Sequence, residues 1–110
     1  MPAALNTFRT ITANVTTTAN TIYTAPTGYT TVVLLAQVSN TTNALLTVSS
    51  NHLRGGVPTA LVANAQVPVS DAINLLSGKL VLATADGINV VSNVATGAQC
   101  ILSILETANP

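Results

Sequence analysis

The sequence predicts an all-β protein: a single antiparallel β-sandwich or jelly-roll-like domain of about eight strands. Three observations favour this fold class. Apolar and polar residues alternate with a period of about two, which is typical of half-buried strands and not of helices. Valine, isoleucine and threonine, which suit a pleated surface, are abundant. Turn sequences rich in Gly, Pro, Asn and Asp recur roughly every 8–12 residues, as they do in sandwiches and barrels.

The first two strands are predicted on either side of a polar stretch. In residues 8–15, apolar side chains at alternate positions indicate one buried face and one wet face. The short strand 21–24 ends at the turn Ala25-Pro-Thr-Gly28, where Pro presets φ and Gly permits a positive φ. Tyr23 and Tyr29 flank this turn, and we predict that each ring packs at the sheet edge with its hydroxyl hydrated.

The third strand is predicted to be central. It covers residues 29–39 and contains four consecutive apolar residues at 32–35. We therefore expect cover on both faces, from the other sheet on one side and from a second subunit on the opposite side. Residues 40–43 form a polar turn, so the strand over 44–50 is predicted to return as a hairpin partner.

The second half of the chain is predicted to contain short strands between frequent turns. The segment 51–58 is interpreted as a loop that is flexible or sharply bent at Gly55-Gly56. Asp86-Gly87 is the strongest hairpin signal, because both residues tolerate positive φ. The remaining strands are predicted over residues 59–63, 72–76, 79–84, 88–92 and 99–106.

The composition predicts assembly with other protein chains. Charged residues make up 5% of the 110 residues and hydrophobic ones 48%, whereas about a quarter of an average soluble domain is charged. A free monomer would expose much of this apolar surface, so we predict a homo-oligomer. The formal net charge of zero provides no basic patch, which argues against nucleic acid as a partner. The longest apolar run, residues 32–36, is too short for a transmembrane helix, and residues 1–7 lack a secretory signal pattern, so no membrane partner is expected.

Few side chains are suited to catalysis or metal binding. His52 and Cys100 are the only residues of their kind, and Asp71, Asp86 and Glu106 are scattered along the sequence. This set has neither the arrangement of a catalytic triad nor the spacing of a metal site. We therefore predict no enzymatic activity, no catalytic residue, no metal and no cofactor. Cys100 is predicted to be an inert buried thiol, and both aspartates are interpreted as turn residues.

One domain is predicted, with residues 1–20 forming an N-terminal arm plus the first strand and residues 21–110 forming the sandwich body. We expect the arm to lie on a neighbouring subunit. Arg54 is interpreted as a donor to another subunit, with a solvated loop charge as the alternative. His52 is interpreted as a loop or interface residue, with a pH-dependent switch at a subunit contact as the alternative. The candidate interface residues are Asn6, Thr7, Phe8, Arg9, His52, Leu53 and Arg54.

Three stretches of the sequence carry a resemblance to a known group of proteins. They are Thr21-Ile-Tyr-Thr-Ala-Pro-Thr-Gly-Tyr-Thr-Thr-Val-Val, Val38-Ser-Asn-Thr-Thr and Leu75-Leu-Ser-Gly-Lys-Leu-Val-Leu-Ala-Thr-Ala-Asp-Gly-Ile-Asn-Val-Val. Together they resemble small β-sandwich virion proteins of tailed bacteriophages, cyanophage-type examples in particular, over about residues 21–106. The usual Asp-Ser or Asp-x-Ile ending of that group stands here as Asp86-Gly-Ile88, which leaves the expected hairpin intact.

The resemblance implies a non-enzymatic virion structural protein. Its most specific form is a capsid decoration or cement subunit that stabilises the phage head, binds the major capsid protein or other virion proteins, and forms a trimer. The expected location is the virion, assembled in the host cytoplasm. A neck, tail or fibre-attachment component is one alternative, and a self-assembling coat or pilus-like subunit is another.

Overall fold

A computed structural model describes residues 6–18, 20–76 and 78–109 of the chain. Over these residues the fold is all-β, which confirms the predicted fold class. Residues 1–5 of the predicted arm and Ser77 of a predicted turn lie outside the described residues. The strands are β1 (Asn6–Val15), β2 (Asn20–Thr24), β3 (Tyr29–Asn40), β4 (Leu46–Arg54), β5 (Val57–Val67), β6 (Ala72–Asn74), β7 (Leu80–Leu82), β8 (Gly87–Ser92) and β9 (Ala98–Ala108).

The strands pair as a nested ribbon. The innermost pair is β4 with β5, and outside it β3 pairs with β6 and β7, β2 with β8, and β1 with β9, all antiparallel. Folding this ribbon over itself produces two packed sheets: a five-stranded sheet in the order β1-β9-β3-β6, with β7 also on β3, and a four-stranded sheet in the order β2-β8-β4-β5. This is a jelly-roll sandwich in which β6 and β7 take the place of one interrupted strand.

Two predicted hairpins are wrong: the one that joins residues 29–39 to residues 44–50, and the one at Asp86-Gly87. The chain passes from the five-stranded to the four-stranded sheet between β3 and β4 and again between β7 and β8, so neither pair of consecutive strands is hydrogen-bonded together. The turn residues do reverse or redirect the chain at residues 40–45 and 83–86. Turn residues such as Asn, Asp and Gly indicate that the chain changes direction. They do not show whether the next strand pairs with the previous one or lies in the other sheet.

The predicted loop over residues 51–58 is a hairpin, although the sharp bend expected at Gly55-Gly56 is present. Strand β4 continues to Arg54 and β5 begins at Val57, which leaves Gly55 and Gly56 as a two-residue hairpin turn. Their φ angles are 59° and 80°, as a type I′ turn requires at both central positions. His52 and Arg54 therefore belong to a strand and hold defined orientations.

Strand β3 is central in its sheet, as predicted, with β9 on one side and β6 and β7 on the other. Its register against β9 shifts between Val33 and Leu35, a bulge that leaves Leu34 and Leu35 each 37% exposed. Within a single chain only the inner face of β3 is covered, and cover of the outer face by a second subunit stays a prediction.

The core lies between the two sheets, where inward-facing side chains from alternate strand positions meet. Burial of each such side chain stabilises the fold by about 1.5–3 kcal/mol. The largest fully buried apolar members are Val15, Val33, Val38, Leu46, Val48, Val67, Leu82, Ile88, Val90, Leu102 and Ile104.

Asn40 and Gly97 hold the crossing between β3 and β4 in place. The buried side-chain amide of Asn40 donates to the carbonyl oxygens of Ala44 at 2.8 Å and Val67 at 3.0 Å. Its Oδ1 accepts from the backbone N–H of Thr42 at 2.8 Å. Thr42 packs so closely on Gly97 that a Cβ added at Gly97 would lie 2.1 Å from Thr42 Cγ2. Because φ at Gly97 is also +106°, only glycine fits this position.

Candidate functional site

Asp86 is the centre of one cluster of ionisable side chains, formed with Arg54 and His52 and called the Asp86 cluster below. The Asp86 carboxylate is buried and accepts hydrogen bonds from Arg54 Nη2 at 2.6 Å and Arg54 Nε at 3.1 Å. It also accepts the backbone N–H of Ala83 at 3.0 Å, and His52 Nε2 lies 3.2 Å from Asp86 Oδ2. These contacts join the end of β4 to the crossing that precedes β8.

The electrostatics of the Asp86 cluster follow from these contacts. Hydrogen bonds from Arg54 lower the pKa of Asp86 to about 2, although burial acts in the opposite direction. The same hydrogen bonds raise the pKa of Arg54. Asp86 is therefore an ionised structural anchor as well as a turn residue.

Arg54 is 66% exposed, as a solvated charge would be, but it ends strand β4 and pairs with Asp86 of its own chain. A contact with another subunit would use the guanidinium N–H groups that face away from Asp86, and it stays a prediction. His52 is not a loop residue, since it lies in β4 opposite Ile88 and Thr59. Its side chain is mostly buried and lies against Asp86, and its predicted interface role is likewise untested.

Tyr23 is the centre of a second cluster, formed with Thr31, Glu106 and Arg9 and called the Tyr23 cluster below. The Tyr23 hydroxyl donates to Glu106 Oε2 at 2.6 Å and lies 2.9 Å from Thr31 Oγ1. Arg9 Nη1 donates to the same Glu106 oxygen at 3.2 Å. Burial and the hydrogen bond to Glu106 raise the pKa of Tyr23 to about 12. The predicted hydrated hydroxyl at the sheet edge is therefore wrong for Tyr23, while Tyr29 is half-buried.

The described side chains provide no constellation for acid-base or metal chemistry. In the described ranges no group of three or more His, Cys, Asp or Glu residues is placed to hold a metal ion. Cys100 is buried, as predicted, and burial raises the pKa of its thiol to about 11, so the reactive thiolate is scarce at neutral pH. Within the part of the chain that the structure describes, no helix is long and apolar enough to cross a membrane.

The outer surface of the five-stranded sheet carries a row of apolar side chains. The register aligns Phe8 of β1 with Leu105 of β9, Leu105 with Val32 of β3, and Val32 with Val81 of β7. Phe8 is 72% exposed and Val81 is 57% exposed, while Leu105 and Val32 are partly buried between them. Four apolar side chains thus form a continuous line across four neighbouring strands.

Most of the other residues on this surface are uncharged. Leu34, Leu35 and Ile101 lie beside the row, each 37% exposed. The Arg9 side chain is 49% exposed and pairs with Glu106, and Lys79 lies just before β7, where it lines a cavity with Leu34 and Leu35 at the edge of this surface. The other outward positions of β1, β9 and β3 hold Asn6, Thr10, Thr12, Asn14, Gln99, Ser103, Thr107, Thr30, Gln37 and Ser39. We call the outward side chains of β1, β9, β3 and β7 the uncharged face, because among the described residues none of them is ionisable.

The structure separates the seven predicted interface residues into two groups. Asn6, Thr7, Phe8 and Arg9 lie in β1 and pair with residues 104–107 of β9 in the same chain. His52, Leu53 and Arg54 lie in β4, in the other sheet. Asn6 and Phe8 belong to the uncharged face. Sequence reasoning missed Leu105, Val32 and Val81 as neighbours of Phe8, since alternation shows which residues share a face but not which strands are adjacent.

Comparison with known proteins supports the fold. The chain matches no family model and no curated protein. Among solved structures it is similar to a chain from Bacillus endospore appendages, which are described as a novel family of disulfide-linked pili. The TM-score is 0.60 with 15% sequence identity, covering 96% of this chain and 88% of that chain. A likeness at this identity shows a shared sandwich fold and no more.

Proposed function

We propose that this protein is a non-enzymatic structural subunit of a virion that decorates the head of a tailed bacteriophage. The observation that carries the proposal is the uncharged face, a sheet surface with an apolar row and no described ionisable side chain. Surfaces of free soluble domains carry many charges, whereas the buried centre of a protein interface is depleted of them. The resemblance of residues 21–106 to small virion proteins supports the kind of assembly.

The ionisable side chains support a structural role in place of a catalytic one. Each of the two buried carboxylates has a cationic partner in the same chain: Asp86 has Arg54, and Glu106 has Arg9. A general acid or base must come within hydrogen-bond reach of a substrate proton. These carboxylates are instead directed at internal donors, so their effect is to join strands within the sandwich.

A decoration subunit stabilises a capsid by mass action, because it binds the assembled shell in preference to separate coat proteins. The outward side chains of β1, β9, β3 and β7 provide a contact surface for another protein chain without the cost of burying unpaired charges.

Quantitative mass spectrometry of purified particles from the source tests this proposal. We expect this chain in a copy number close to that of the major capsid protein. A ratio of a few copies per hundred would instead indicate a neck, tail or fibre component. Absence from particles that contain their full set of coat proteins would overturn the virion proposal.

A self-assembling subunit is the second candidate, and the likeness to the endospore appendage chain favours it. That chain comes from disulfide-linked pili, whereas the one cysteine of this sequence, Cys100, is buried in the core. A filament of this protein would therefore be held by non-covalent contacts. Negative-stain electron microscopy of the purified protein alone tests this: filaments or shells would support self-assembly, and small dispersed particles would contradict it.

A further inference from the structure

We propose that the uncharged face binds the same face of a second copy of this chain, forming a two-fold dimer centred on the row Phe8–Leu105–Val32–Val81. This inference rests on the proposed structural function, names the partner of its surface, and replaces the trimer that the resemblance implies with a dimer. Four observations support it: the absence of charge, the arrangement of the apolar row, the polar residues around it, and the area.

The absence of charge favours a partner of the same kind. A charged partner surface would lose hydration against this face and find no opposite charge among its described outward residues. In a second copy the described outward side chains of β1, β9, β3 and β7 bring no charge to the contact, and Lys79 lies outside them at the β7 edge. The formal net charge of zero leaves no overall repulsion between copies. An electrostatically steered partner, such as nucleic acid or an acidic peptide, has nothing here to recognise.

The apolar row has the arrangement that a self-paired surface needs. It runs from the edge strand β1, through β9 and β3, to the opposite edge at β7. A two-fold axis that lies in the contact plane, parallel to the strands, and passes the middle of the row would place Phe8 of one copy opposite Val81 of the other. The bulky exposed ring and the smaller valine, 72% and 57% exposed, would then lie over each other at both ends.

The polar residues around the row are suited to such pairing because they are mainly amides and hydroxyls. Thr10, Ser103, Gln37 and Thr12 carry groups that both donate and accept hydrogen bonds. The donors of one copy can therefore bond to the acceptors of the other. Two copies of a surface with charges of one sign would repel each other instead. Burial of these groups is acceptable only where hydrogen bonds form, so the contact also requires a defined orientation.

The area is sufficient for a specific contact. Strands β1, β9 and β3 are about ten residues long and β7 has 3 residues, so at about 4.8 Å between strands and about 3.4 Å per residue they cover about 540 Å² per copy. Two copies would bury about 1,100 Å², which is above the roughly 1,000 Å² expected of a biological interface. A contact of this size, with Leu34, Leu35 and Ile101 beside the row, predicts a reversible dimer.

Sedimentation velocity of the purified full chain tests the dimer across a hundredfold range of concentration up to about 100 µM. Val81→Lys places an unpaired charge in the row, and we expect the dissociation constant to rise at least about 100-fold. Val57→Lys is the matched control, because Val57 is 64% exposed on the four-stranded sheet, outside the uncharged face. It should dimerise like the unaltered protein.

Thr10→Lys is a second variant that leaves the apolar row intact and still adds a charge to the uncharged face; circular dichroism confirms that each variant is folded. Weakened dimers for both Val81→Lys and Thr10→Lys, with normal dimers for Val57→Lys, would support the proposal. A monomer throughout the concentration range, a trimer, or equal association of all variants would overturn it. The copy number in particles separates the two proposals. A monomeric protein that is abundant in particles would support the virion function and contradict the dimer. A dimeric protein that is absent from particles would support the dimer and contradict the virion function.

Discussion

Tyr23→Phe removes one hydroxyl group from the interior of the sandwich and should destabilise it strongly. The hydroxyl donates to Glu106 at 2.6 Å, and a hydrogen bond to a charged group contributes about 1.5–3 kcal/mol. The same hydroxyl lies 2.9 Å from Oγ1 of Thr31, which is fully buried and would lose this partner. An orphaned buried hydroxyl costs about a further 1 kcal/mol. We therefore expect a total loss of about 2.5–4 kcal/mol in the free energy of unfolding.

Urea unfolding followed by far-ultraviolet circular dichroism measures this loss at one fixed protein concentration, so that any association is equal in all samples. Tyr29→Phe is the matched control, because it removes the same group from a half-buried position outside the Tyr23 cluster. We expect the control to change stability by less than about 0.5 kcal/mol. If the two variants lose equal stability, the Tyr23 cluster does not stabilise the fold as argued.

The pH dependence provides a second measurement on the same residue. The pKa of Tyr23 is raised to about 12, mainly by burial, whereas an unfolded tyrosine titrates near 10. A raised folded pKa means that this contribution to stability is complete below pH 10 and is lost as pH rises through 10 to 12. The shift corresponds to about 2–3 kcal/mol. Tyr23→Phe should lack this alkaline loss, and an unchanged alkaline unfolding profile in Tyr23→Phe would refute the reasoning.

Three further predictions concern Asp86, Gly97 and Cys100. The pKa of Asp86 is lowered to about 2 in the folded chain, so its contribution is complete above about pH 4 and is lost as pH falls towards 2. After allowance for screening at the exposed Arg54, we expect the free energy of unfolding to fall by about 1–2 kcal/mol in acid because of Asp86. This fall should be absent in Asp86→Asn and present in the control Asp71→Asn, whose altered residue is exposed. Equal acid profiles for the two variants would contradict this. Gly97→Ala should cost about 2–4 kcal/mol in urea unfolding, because Thr42 blocks the new Cβ, while Gly28→Ala, at φ +83° with open space around it, should cost only about 1 kcal/mol. A thiol reagent should modify Cys100 much faster in denaturant than in the folded protein at neutral pH, and rapid modification of the folded chain would show that the thiol is not enclosed.

The fold class and the strand positions could be predicted because they depend on local pattern. Alternation over residues 99–106 and the Pro-Gly turn at Ala25–Gly28 are visible within a few residues of sequence. Strand pairing depends instead on distant residues, and it is there that the prediction fails. The partner of β3 is β9 and not β4, since the nested ribbon places partners on opposite sides of the innermost hairpin.

The two ionisable clusters could not be predicted for the same reason. Glu106 lies 83 residues from Tyr23 in sequence, and Asp86 lies 32 residues from Arg54. Asp86 was expected only as a turn residue, because the turn is visible in the neighbouring sequence whereas its partner Arg54 is distant in sequence. Phe8 was identified as an interface candidate from its position near the N-terminus, but the surface to which it belongs needs the register of three other strands.

The nested ribbon also has a consequence for the order in which the molecule is made. The pair Asn6–Thr107 spans 101 residues, so β1 leaves the ribosome long before its partner β9 exists. Contacts of such sequence separation form slowly and late. During synthesis Phe8 and the backbone of β1 are therefore an unpaired apolar strand, which is the kind of segment that associates with other incomplete chains. Synthesis of β9 ends this exposure, because one strand then pairs with β1 on one side and β3 on the other.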